Sequence, residues 1–398
     1  MLSTTERDAR DMRLFILASV LMGLGGCVNS SVFNNYLKDV FDLDVARRTF
    51  LEFPRELPGF LVSFFVASLA MMGEVRIAFV ANLVASAGMM ALGWIPASFA
   101  LMVTSVFIFS SGIHIYMPLG NSIGMAFAQK GREGSVLGRI SAAGTLALVL
   151  GSAILLALLR FTHLSYRAAF SAGAVFYLAA ALAMLSMSPR RSPGKPRRMV
   201  IKRTYSRYYL LSVLFGARKQ FFITFGPWMI IDLFKQPVQT MTLLFLIISV
   251  LGIGLQPLVG RLTDRFGPRT VLGGEALLTI GICVLYAFAP ELLPTGAALV
   301  VVSACYVIDQ GANAVSMTRA VFVSQIAEDA GDISPTLSVG VSIDHIISMF
   351  LPMLGSLAWK GGGNRGYRWV FLGGAVVAAL SFLVTRGMPG RRGRVHDS

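Results

Sequence analysis

A few polar side chains stand alone inside long apolar stretches of this chain, and their types fit two jobs: holding a small polar solute and carrying a proton. Arg218 and Lys219 are adjacent cations. A guanidinium grips a carboxylate through two parallel N–H donors, whereas an ammonium offers a point charge. Asp309 is central in a later stretch, with Asn313 and Ser316 continuing its helical face. Asp344 and His345 form a titratable pair, and histidine is the side chain whose charge changes most easily near neutral pH. Asp309, Asp344 and His345 are therefore the candidate proton-coupling groups, and Arg218, Lys219, His114, Asn29 and Asn313 the candidate solute-binding groups. Asn121 extends the face of His114, and Asn34 and Asn35 follow Asn29 toward the end of its stretch. Each has a structural alternative. Arg218 or Lys219 can pair with Asp309 or Asp344 to hold helices together, His114 can donate to a carbonyl, and asparagines can bridge helices. Neighbours on a helix point about 100° apart, so neither adjacent pair shares one direction.

No catalytic constellation accompanies these groups. The chain has no Gly-x-x-x-x-Gly-Lys-Ser/Thr phosphate loop, no His-Glu-x-x-His helix and no nucleophile elbow. Gly361-Gly362-Gly363 falls in a connector without the strand and helix of a nucleotide site. The chain reads as a non-enzyme with no catalytic residue, metal or cofactor. Cys27, Cys283 and Cys305 all lie in apolar stretches, at spacings that suit neither a disulfide framework nor a zinc site, and inert thiols are expected.

What must position the polar groups is a set of twelve apolar segments, at about 14–38, 56–73, 76–94, 98–127, 136–159, 167–188, 208–234, 239–259, 270–289, 295–323, 335–358 and 367–386. Some 20 apolar residues at ~1.5 Å rise cross the ~30 Å hydrocarbon core of a bilayer. In lipid each segment must satisfy its own backbone hydrogen bonds, so the segments should be helices. Composition agrees: 55% of 398 residues are hydrophobic, 14% are charged, and the mean hydropathy is +0.69. A charge near the membrane centre costs at least ~2.5–3.5 kcal/mol, so the ionisable groups above should be turned inward and used. Met1–Arg13 is charged and no small-residue cleavage site follows, so the first span is expected to be retained.

The net charge of +15 lies in connectors beside the spans rather than in a nucleic-acid-binding patch, which argues against a nucleic-acid partner. With both termini placed inside, the inner connectors carry about twice as many Lys and Arg residues as the outer ones, the asymmetry of a cytoplasmic side. The outer run Glu52-Phe53-Pro54-Arg55-Glu56 reads as a solvated turn. A basic connector beginning Ser188-Pro189-Arg190-Arg191 divides six spans from six and is expected to lie near anionic lipid headgroups. The expected organisation is residues 1–188 as one bundle, 189–207 as linker and 208–398 as a second bundle with a short basic tail. Gly131-Arg132-Glu133-Gly134-Ser135-Val136-Leu137 and Gly331-Asp332-Ile333-Ser334-Pro335-Thr336-Leu337 occupy matching places in the halves, which fits duplication of a six-helix unit.

Between the eighth and ninth spans stands Gly260-Arg261-Leu262-Thr263-Asp264-Arg265-Phe266-Gly267-Pro268-Arg269. Its glycines suit a tight reversal, and Asp264 suits a place beside positive groups and a helix N-terminus. The run resembles the signature connector of the major facilitator superfamily. The corresponding connector between the second and third spans departs from that pattern, being reduced to Gly73-Glu74-Val75-Arg76. The fifth span, rich in glycine and alanine from Gly138 to Gly151, is loosely similar to that family's antiporter motif and permits close helix packing.

The resemblance implies an all-α membrane protein of twelve helices in two pseudo-symmetric bundles with both termini cytoplasmic. It implies a central cavity lined by the first, fourth, seventh and tenth helices, which are those that carry Asn29, His114, Arg218 with Lys219, and Asp309 with Asn313. It also implies a cytoplasmic gate at Gly260, Asp264, Arg265, Gly267 and Arg269. The expected activity is secondary active transport of a small organic solute by alternating access, with an organic anion favoured by the extra cations and protons as coupling ion. An exporter of amphipathic drugs or metabolites is the alternative within the class. A non-transporting scaffold or solute sensor, or a membrane-embedded enzyme, are the alternatives outside it. The expected partners are the solute, H+ and the bilayer, the expected state is a monomer, and the expected location is multi-pass in a bacterial plasma (inner) membrane.

Overall fold

The computed structural model describes residues 4–41, 51–94, 98–162, 164–188 and 199–390. Among them there is no strand. The first six helices are α1 (Thr4–Phe41), α2 (Glu52–Ser68), α3 (Glu74–Trp94), α4 (Phe99–Ala126), α5 (Glu133–Phe161) and α6 (Tyr166–Leu185). They are followed by α7 (Ser206–Gln220), α8 (Val238–Phe266), α9 (Pro268–Leu292), α10 (Thr295–Ala312), α11 (Ser316–Ile326), α12 (Ile333–Gly361) and α13 (Gly366–Arg386). Ten helical runs of the described residues are long and apolar enough to cross a membrane, with α10 and α11 counted as one. The second and seventh expected spans are also helical, but α2 has 17 residues and α7 has 15 before its geometry changes. The basic segment 189–198, expected at anionic headgroups, lies outside the described residues.

The Glu52–Glu56 run, expected as a solvated turn, is helical. It forms the first turn of α2, with Pro54 buried and Arg55 3.5 Å from Glu56. Proline is tolerated there because first-turn amides have no intrahelical acceptor to lose.

Contacts divide the chain into two compact units: Met1–Lys130 with Arg139–Ile201 and Ala327–Ser342, and Gly131–Gly138 with Lys202–Ile326 and Ile343–Ser398. In the first unit Tyr36 is an aromatic hub, with ring centroids 4.9 Å from Phe170 and 5.5 Å from Tyr166, while its hydroxyl donates to the Leu92 carbonyl at 3.0 Å. The fifth span's glycines do allow close packing, since a Cβ at Gly151 would lie 2.9 Å from Cys27 Sγ of α1; on the α1 side, a Cβ at Gly23 would lie 2.2 Å from the Gly144 carbonyl. In the second unit Tyr286 stacks on Phe371 at 4.3 Å and meets Phe222 at 5.7 Å. The outward faces stay apolar: Leu156, Val300, Leu357 and Leu383 are each more than 60% exposed. Hydrocarbon accepts such surfaces, which water would not. The three cysteines are buried and unpaired as disulfides.

Two spans of the second unit are not regular. The seventh passes from α7 into a π-turn (Phe221–Phe225), one α-turn (Gly226–Trp228) and another π-turn (Met229–Leu233). Pro227 has no N–H to give to the ladder, and wider π hydrogen bonding absorbs the break. The tenth span changes to a 3-10 turn at Asn313–Val315 between α10 and α11. Arg218 and Lys219 end the regular part of the seventh span, and Asp309 lies one turn before the break in the tenth.

Candidate functional site

The two irregular spans bring their charges together inside the second unit. Arg218, 4% exposed, stands between two carboxylates. Its Nη2 donates to Asp309 Oδ1 at 2.5 Å, and its Nη1 lies 3.0 Å from Glu275 Oε1 on α9. The Nη1–H points off the line to Glu275, and Nε has no hydrogen-bond partner among the described residues. Asp309 is thus held by a directed, charge-assisted bond and Glu275 by proximity alone. A polar chain extends from this clamp. Gln310 Nε2 donates to Asp309 Oδ2 at 3.3 Å, Asn313 Nδ2 donates to Gln310 Oε1 at 3.3 Å, and Thr279 Oγ1 donates to Glu275 at 3.4 Å.

Lys219, one position on, turns to α12, where its Nζ is 3.0 Å from Asp344 Oδ1. Ser348 donates to the same oxygen at 3.4 Å. The divergence of adjacent helix positions has sent the two cations to different carboxylates. Gly216 makes the second pair possible: a Cβ there would fall 2.7 Å from the Asp344 carbonyl oxygen. His345 is buried beside Asp344 in sequence. Arg319, on α11, lays its guanidinium over the Phe215 ring at 3.4 Å. Three cationic side chains, Arg218, Lys219 and Arg319, and three carboxylates, Glu275, Asp309 and Asp344, thereby lie buried or half-buried in one group whose formal charges balance.

The structure brings Arg218, Lys219, Asp309, Asp344 and, through Gln310, Asn313 into this group. His114 and Asn29 belong to the other unit. His114 is 8% exposed, with Nδ1 2.8 Å from the Ser110 carbonyl, a contact in which only the nitrogen can donate. Asn29 is half-buried on α1. The side chains of Asn34 and Asn35 lie outside the described residues. Glu275 and Arg319 were missed in the sequence, although each is an ionisable residue inside an apolar span and so carries the signal that picked out Asp309.

The connector motif forms a second polar site in the same unit. Asp264 Oδ1 accepts the Gly134 amide at 2.8 Å and Oδ2 accepts the Ser135 amide at 2.7 Å, so the carboxylate caps the N-terminus of α5. Two amides at the positive end of a helix dipole stabilise its charge. Gly260 is not at the reversal but deep in the last turns of α8, where a Cβ would meet the Gly134 carbonyl at 2.2 Å. The reversal belongs to Gly267, at φ +81° and ψ 158°. Pro268 then opens α9 with a fixed φ. Arg265 rests its guanidinium 5.2 Å from the Phe266 ring, and Arg269 lies near Gly390. The reduced connector of the first half keeps the same reversal, since Gly73 has φ +81° and ψ 151° before α3. Its acidic residue, Glu74, stands after the glycine, where the other connector has Pro268, and accepts from Ser122 Oγ at 2.9 Å.

Residues 56–343 match the model of the Major Facilitator Superfamily. No curated protein matches the chain in sequence. Among solved structures, FucP, the Escherichia coli fucose:proton symporter, in its outward conformation, superposes with a TM-score of 0.74 at 12% identity, over 95% of this chain and 98% of that one. The human organic anion transporter MFSD10 (TETRAN) gives 0.69 at 13% identity, over 95% and 99%. The proton:xylose symporter XylE gives 0.67 at 16% identity, over 98% and 97%. At these identities the likeness is one of fold.

Proposed function

Because the chain belongs to the major facilitator superfamily, we propose that it is a secondary active transporter working by alternating access. It carries a small organic anion together with protons across a bacterial plasma membrane in which both termini are cytoplasmic. The observation that carries this reading is Arg218 clamped between Asp309 and Glu275 at 2.5 and 3.0 Å. Three cations and three carboxylates in that group balance, so one proton taken up on a carboxylate leaves a net charge of one cation. That charge favours entry of one anionic group, which ties proton uptake to solute binding. Asp309 is the proton carrier, and the Asp344–His345 pair is the second titratable place. Among the structurally similar proteins are two proton symporters and an organic anion transporter, which fits each half of the proposal. An exporter of amphipathic cations would keep carboxylates without cations, whereas Glu275, Asp309 and Asp344 each have one within 3.0 Å.

The test is uptake into proteoliposomes under an imposed pH gradient, with a panel of labelled organic acids and cationic dyes. Accumulation of an acid, collapsed by a protonophore, is expected. Movement of the dyes alone would assign an exporter, and ligand binding without movement of any solute would assign a sensor.

The Asp264 cap serves as the cytoplasmic latch in this reading. Asp264→Asn keeps the side-chain shape but loses the charge that two α5 amides hold. Charge-assisted bonds of this kind contribute about 1.5–3 kcal/mol. The variant is expected to change the rate of cycling about tenfold or more, while solute affinity stays within about twofold. Counterflow rates and binding isotherms separate the two, and loss of affinity alone would contradict a latch.

A further inference from the structure

Among the described residues, Arg319 makes no ion pair and no hydrogen bond, and its Nε is sealed from solvent without a partner. What fixes it is the Phe215 ring, 3.4 Å below the guanidinium carbon. Stacking of this kind holds the plane of an arginine while leaving its N–H donors unspent. The carboxylates whose charges reach it are Asp344 and Glu275. Both are engaged elsewhere, Asp344 by Lys219 and Glu275 by Arg218, each at 3.0 Å. The guanidinium carries five donors and cannot shed its charge. Keeping such a group unpaired in a membrane span is costly, and a cost of that kind persists where something binds.

We propose that Arg319 is the docking cation for the anionic group of the transported solute, a carboxylate or another planar oxyanion gripped by its η nitrogens while Phe215 sets its plane. Arg218 and Lys219 are then counter-charges for Asp309, Glu275 and Asp344 rather than solute ligands. Protonation of Asp309 still leaves Arg218 beside Glu275 and Lys219 beside Asp344, so the positive charge the group gains is expressed at the one cation without a partner. This assignment rests on the organic-anion reading above and names its anchor.

The experiment is a thermal-shift screen of the purified full-length protein against acetate, lactate, benzoate and succinate, each beside its uncharged primary amide. At least one acid is expected to stabilise the wild type in a saturable way while its amide does not. Arg319→Gln should weaken that binding by roughly 10- to 100-fold, the scale of lost charge-assisted hydrogen bonds. Its ligand-free melting temperature should hold or rise, because an unpaired cation has been removed; a purely structural arginine would lower it. Arg319→Lys, which keeps the charge but not the planar fork, should bind several-fold more weakly than wild type, and it decides the matter if the glutamine variant does not fold. Wild-type affinity for the acid in either folded variant would overturn the assignment and leave the organic-anion reading standing. Failure of every acid to stabilise the wild type would instead overturn that reading.

Discussion

Arg218→Ala is expected to cost the folded protein about 3–5 kcal/mol, the usual consequence of removing one partner from a buried ionic group. Two carboxylates depend on this guanidinium, Asp309 at 2.5 Å and Glu275 at 3.0 Å, and neither has another cation so close among the described residues. Without it, two negative charges face each other with only Gln310 and Thr279 as donors. The variant should therefore melt well below the wild type in detergent, and the deficit should shrink in acid, where the orphaned carboxylates take up protons. The triple variant Arg218→Met, Glu275→Gln, Asp309→Asn removes the whole clamp at similar volume. It should recover most of the lost stability, because burying apolar or neutral groups avoids the desolvation of three ions. It should still fail to accumulate solute. If the single alanine variant melts with the wild type, Arg218 is not the counter-charge of this clamp.

Asp309→Asn is expected to separate proton coupling from solute movement. Asparagine keeps an oxygen for the Arg218 Nη2 donor but cannot be charged, so the group is left permanently as it would be with a proton bound. Uphill accumulation driven by a pH gradient should fall to passive equilibration, whereas exchange of labelled for unlabelled solute should continue. Affinity for the anion should be retained or increased, and its dependence on pH should flatten. These are measured by gradient-driven uptake, counterflow and binding across a pH series in the same vesicles. Normal accumulation by Asp309→Asn would move the coupling proton to Asp344 and His345.

Hydropathy alone made the membrane class and the helical nature of the apolar segments legible. A bilayer leaves a chain no choice but to close its backbone hydrogen bonds within each apolar run, so length and apolarity translate directly into helices. The ten-residue run from Gly260 to Arg269 made the family legible, and within it Gly267, at φ +81°, meets a local backbone demand that sequence expresses directly. The placing of ionisable residues in spans made the site's members partly legible. Asp309, Arg218, Lys219 and Asp344 were visible as costly exceptions, and Glu275 and Arg319 carried the same mark unheeded.

Partnership was not legible. Nothing in the order of residues says that Arg218 serves Asp309 and Glu275 while Lys219 serves Asp344, since that follows from how α7 is rotated against α9, α10 and α12. Nor does it say that Gly216 yields the space for Asp344, or that Asp264 finds its amides on α5. Each of these depends on distances between segments far apart in the chain. Sequence determined the solvent, the helices and the identity of the charges, because those are properties of single segments. Tertiary structure decided which charge meets which, and left Arg319 stacked on Phe215 without an ion pair among the described residues, because pairing is a property of packed helices.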